Sequence, residues 1–123
     1  MTNPANRFSF WTAACGLLGA CAVAIGAIAS HVITNPQAVS SIEKASSYQL
    51  WHVLAILASL FLRGASLVYA RLLFMAGILL FCGSIYAKYL LGLTGAVMLA
   101  PAGGVALMAG WLLLCLAGYQ TLK

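Results

Sequence analysis

The stretch YQLWH, Tyr48 to His52, sets a phenol and an imidazole four residues apart, so on a helix both rings leave from one face. An imidazole at membrane depth serves as a haem or copper ligand, as a proton carrier, or as a polar side chain that must find a hydrogen-bond partner. His31, Gln49, Ser84 and Tyr86 complete the candidate polar cluster. His52 is read as a neutral imidazole bonded to Ser84, Tyr86 or Gln49. His31 closes the apolar run AIGAIASH, about 10 Å from the depth of His52. A metal sits only about 2.0 to 2.1 Å from each imidazole nitrogen, so the two histidines do not share one ion. Tyr48 lies between them. The line His31, Tyr48, His52 is therefore the pattern of a small-solute or proton conduit, and His52 alone, or with Met98 as a soft donor, is that of a haem or copper redox module.

The remaining equipment of catalysis is sparse. The chain has one acidic residue, Glu43, and no nucleophile elbow or phosphate loop. Ser40 followed by Glu43 reads as a capping box that starts a helix near Ser41. A salt bridge from Glu43 to Lys44 or Lys88 is the alternative. At 100° per residue Glu43 stands about half a turn around from His52, so they form no acid-base pair. Cys15, Cys21, Cys82 and Cys115 show no CxxC and no zinc-ligand spacing, and read as small apolar packing residues. These features predict a protein that is not an enzyme and has no catalytic residue, cofactor or metal site.

Elements that position such residues must be membrane helices. Of 123 residues, 64% are hydrophobic and 6% charged, against about 25% charged in soluble domains. Four segments approach the roughly 17 to 25 apolar residues of a membrane span, and no alternating pattern suggests a barrel. The expected fold is all-α: one integral membrane four-helix bundle over residues 1–123, with helices at about 8–31, 41–62, 70–91 and 102–120. Ala27-Ile28-Ala29 resembles a signal-cleavage site, but the preceding region carries only Arg7, so the segment is read as a retained first helix. Arg7, Arg63, Arg71 and Lys123 share one end, and Lys44 and Lys88 the other. The positive-inside rule then puts both termini in the cytoplasm. Six dispersed cations make no nucleic-acid-binding face; anionic lipid headgroups suit them better.

Small residues trace the packing. Cys15, Gly19, Ala22, Gly26 and Ala29 form one seam, Gly77 begins another on helix 3, and Gly103 and Gly110 mark helix 4; such seams allow backbones to approach in lipid. The blocks GAIASH (Gly26 to His31), YQLWH followed by VLAIL, AGILLFCGSIY (Ala76 to Tyr86), LTG (Leu93 to Gly95), PAGG (Pro101 to Gly104) and GW (Gly110, Trp111) together resemble the domain of unknown function 423 family of small membrane proteins. The chain departs from that pattern at Ser30 and Ala100, where the family tends to Ala and Thr. The resemblance implies a four-helix inner-membrane protein and no particular activity. The expected role is therefore that of a non-catalytic association or accessory protein of the bacterial inner (plasma) membrane. Its partners would be membrane lipids and other membrane subunits or further copies of itself, with no nucleic acid.

Overall fold

The computed structural model describes residues 4–122. Lys123 and the side chain of Arg7, two of the cations used above for orientation, lie outside the described residues. The described residues are all-helical, with four long helices. The first, α1, runs Pro4–His31, and α2 runs Pro36–Ser59. The third, α3, spans Leu67–Leu91 and widens into a π-helical turn at Ile78–Cys82. A 3-10 stretch, Thr94–Leu99, leads into α4, Ala100–Thr121. Short connections make consecutive helices antiparallel neighbours: α1 packs along α2, and α3 along α4. Phe74 and Ile56 lie fully buried at the centre, with Val53, Ile78 and Leu107 around them.

Among the described residues, three segments are long and apolar enough to cross a membrane: Phe10–His31, Leu67–Leu91 and Thr94–Thr121. The remaining long helix, α2, is less apolar than these three. Its 24 residues reach about 36 Å at 1.5 Å per residue, enough for a hydrocarbon core of about 30 Å, but its composition is too polar. The reason is its position. Buried Ser46, Gln49, His52 and Ser59 turn to neighbouring helices rather than to lipid, and α2 touches all three of the others.

The start of α2 is corrected too. Asn35 Oδ1 accepts the backbone N–H groups of Gln37 at 2.9 Å and Ala38 at 3.2 Å, and Pro36 supplies a first-turn residue whose missing N–H is no loss. The helix therefore begins five residues before Ser41, and Ser40 lies inside it. Glu43 caps nothing: its Oε1 accepts the Ser30 hydroxyl at 3.1 Å, tying α1 to α2. That contact takes the place of the expected salt bridge to Lys44 or Lys88.

The seams hold in part. On α1 the deeply buried members are Cys15, Ala22 and Ala29, seven residues apart and so nearly in line along the helix. Gly26 borders this line, its missing Cβ 3.4 Å from Ser46 Oγ, while a Cβ at Gly19 would meet nothing within 4 Å. Gly19 thus makes no close approach within the chain. On the α3–α4 side all three matter. Gly77 admits Leu107, a Cβ on Gly110 would stand 2.7 Å from the Phe74 ring, and Gly103 lies against the backbone of Phe81. Phe81 belongs to the π-helical turn, so the widened turn of α3 and the bare turn of α4 face each other.

Candidate functional site

His52 is 5% exposed, on the face of α2 that meets α4. Its Nε2 lies 3.0 Å from Trp111 Nε1. An indole N–H only donates, so Nε2 accepts and the ring's one proton sits on Nδ1. Nδ1 lies 2.6 Å from the Tyr48 carbonyl oxygen and donates to it. The imidazole is neutral, and both of its nitrogens are in use. Aromatic rings enclose it: the centroids of Phe74, Trp111 and Tyr48 stand at 5.5, 5.8 and 6.2 Å. Beside it a groove of about 380 Å³ runs between α2 and α4, lined among others by Tyr48, Trp51, Phe81, Met108 and Trp111. Trp51, Met108 and Trp111 are largely exposed, so the groove opens sideways.

None of the three expected partners of His52 reaches it among the described hydrogen bonds. Gln49 instead accepts the Tyr86 hydroxyl at 2.8 Å and donates from Nε2 to the Leu18 carbonyl at 2.7 Å, joining α3, α2 and α1. Ser84 donates back to the Phe81 carbonyl at 2.8 Å. The geometry explains the exchange: three residues at 100° each leave Gln49 and His52 about 60° apart around α2. One faces α1 and α3, the other α4. Trp111 was missed as the partner, although its mid-helix position signalled an indole N–H in need of an acceptor.

His31 stands apart from both groups. Ser30 is level with Glu43, and Gly26 with Ser46, so His31 lies beside the first turns of α2. Tyr48 meanwhile packs edge-on against Phe81 of α3 at 5.5 Å. The line His31, Tyr48, His52 is not assembled. His31 is the exposed end of α1, where an imidazole suits the negative end of the helix dipole. Among the described residues no three His, Cys, Asp or Glu side chains come together.

A second polar site was not foreseen. Arg71, read in the sequence as a boundary cation, lies inside α3 and is 7% exposed. The helix begins three residues before the expected start, and Arg71 shares its buried face with Leu67, Ala70 and Phe74. Nη1 donates to the carbonyl and hydroxyl oxygens of Ser59, each at 3.3 Å, and the guanidinium stands 5.8 Å from the Trp11 ring centre. Ser66 closes the same end, donating to the Leu113 carbonyl at 3.0 Å and to Gln120 Oε1 at 3.3 Å.

Comparison with known proteins adds a family to this geometry. Residues 25–104 match the family described as "Protein of unknown function (DUF423)", a span that includes His52 and Arg71 and stops short of Trp111. The UPF0382 inner membrane protein YgdD of Escherichia coli K12 is 37% identical over 108 residues, 82% of each chain. A UPF0382 membrane protein of Haemophilus influenzae is 32% identical over 111 residues, 85% of this chain and 90% of its own. Another, from Staphylococcus aureus, is 32% identical over 105 residues, 80% of this chain and 86% of its own. No solved structure matches significantly.

Proposed function

From the premise that the chain belongs to the DUF423 family of membrane proteins, we propose a non-catalytic multi-pass protein of the bacterial inner membrane, with both termini cytoplasmic. It works by lateral association, with further copies of itself or as a small subunit of a larger membrane complex. The observation that carries this reading is the state of His52. Its Nε2 accepts the Trp111 N–H and its Nδ1 donates to the Tyr48 carbonyl, so both ring nitrogens serve as hydrogen-bonding groups within the bundle. Gln49 and Tyr86 are likewise engaged with each other across helices. Polar chemistry at membrane depth is thus spent on holding helices together. The groove between α2 and α4 remains open to the side, presenting aromatic and methionine side chains of the kind enriched where proteins meet.

Energy transfer between donor- and acceptor-labelled copies in lipid vesicles, together with native electrophoresis of solubilised membranes, tests the reading. Association predicts transfer that persists on dilution with lipid and falls for Trp51→Ala, or co-migration with a larger complex that the same substitution weakens. A chain that is monomeric in vesicles and migrates alone from its own membranes contradicts it. Near-stoichiometric haem or copper that His52→Leu removes would replace it with the redox reading.

A further inference from the structure

At the end of the bundle that carries the α2–α3 connection, a pocket of about 310 Å³ is lined by Arg63 and Arg71 together with Phe8, Leu60, Leu67 and Val68. Its chemistry is divided. The guanidinium of Arg71 is held in place by Ser59 and Trp11, and Arg63 reaches in from the exposed connection. The first turn of α3 opens beside them, and Ser66 turns its hydroxyl to Leu113 and Gln120 instead of capping it. The positive end of that helix dipole adds to the two arginines. The one acidic side chain of the protein, Glu43, is at the opposite end with Ser30. The other walls are apolar, and Phe8 is fixed edge-on against Phe61 at 5.9 Å.

We propose that this pocket binds the phosphate headgroup of an anionic phospholipid, with Arg63 and Arg71 toward the phosphate oxygens and Phe8, Leu60, Leu67 and Val68 against the upper acyl chains. Three features support it. The pocket lies where the apolar span Leu67–Leu91 begins, which is the depth of a headgroup. Arginine forks match phosphate oxygens in pairs. A soluble anion would use the guanidiniums and leave the apolar walls bare, whereas a lipid uses both. The inference is independent of lateral association and concerns a separate part of the surface.

The test is native mass spectrometry of the full chain in an uncharged maltoside detergent, titrated with dioleoyl phosphatidylglycerol or dioleoyl phosphatidylcholine. The expected result is one retained phosphatidylglycerol, bound about twenty-five-fold more tightly than phosphatidylcholine, each of the two arginines near the anionic headgroup contributing about fivefold. Arg63→Gln should lower that affinity about fivefold, and Lys88→Gln, at the other end, should leave it unchanged. Arg71→Gln should lower it by a similar factor; because burial makes that variant prone to misfold, the exposed Arg63 is the deciding position. Equal retention of the two lipids, or equal losses for Arg63→Gln and Lys88→Gln, overturns the proposal. So does displacement of the lipid by millimolar inorganic phosphate, which would assign the pocket to a soluble anion.

Discussion

His52 and Trp111 form the one side-chain hydrogen bond described between α2 and α4, and a double-substitution cycle isolates it. His52→Leu leaves the indole N–H without its acceptor, at a cost of about 1 to 3 kcal/mol by general experience and nearer about 0.6 kcal/mol for typical bonds within a membrane. Trp111→Phe leaves Nε2 without its donor, a loss of the same order. The pair together should cost less than the sum of the two, because the second change removes a group already unpartnered. Unfolding of the detergent-solubilised protein by increasing denaturing detergent measures all three, and strict additivity would mean that the bond contributes nothing. The sequence made it legible that His52 is buried and satisfied. It did not reveal the partner, because a helical pattern fixes which residues share a face and leaves open how that face is turned toward its neighbours. Arg71 escaped for a related reason: counting basic residues by end treats a guanidinium inside the first turns of a helix like one in a loop.

Among the elements, the α3–α4 contact depends on absent side chains more than on present ones. Gly103→Ala should destabilise by about 1 to 3 kcal/mol, the usual range for overpacking, since its Cβ would press on the Phe81 backbone, which cannot swing aside as a side-chain tip can. Gly19→Ala should be neutral or stabilise by up to about 1 kcal/mol through helix propensity, having open space around it. Melting temperatures of the two variants in one detergent check the contrast, and equal losses would contradict this assignment of the seams. Sequence spacing marked both glycines alike; only the line of Cys15, Ala22 and Ala29 shows which side of α1 is covered. For α2, Asn35→Ala should cost about 0.5 to 2 kcal/mol as a lost N-cap, with Ser40→Ala close to zero. The reverse order would restore the later helix start. Asn-Pro is in sequence terms a turn signal, and Asn35 and Pro36 are equally what a helix start needs; the capping-box pattern downstream concealed that.

For the whole molecule, an even number of antiparallel helices returns the chain to the end where it began. Arg63 and Arg71 stand at that end, and Lys44 and Lys88 at the other. By the positive-inside rule, a reporter fused after Lys123 should read cytoplasmic and one inserted near Asn35 external; the opposite pattern would invert the proposed orientation and carry the lipid pocket to the outer leaflet. The low apolarity of α2, which follows from its polar contacts with all three neighbours, bears on how the chain is built. Segments leaving the translocon partition into lipid by their own hydrophobicity, and charged or strongly polar residues near a helix centre oppose entry. While α2 emerges, α3 and α4 do not yet exist to offer Tyr86, Arg71 and Trp111 to Gln49, Ser59 and His52, so these polar side chains face lipid or the pore. A chain cut after residue 62 should therefore leave a large fraction of its C-terminal reporter on the external side, whereas in the full chain the end of α2 should read inside. A truncated chain that reads as uniformly cytoplasmic would show α2 inserting unaided. The side chains that lock the finished bundle are, on this view, the ones that delay its second crossing until the third has been made.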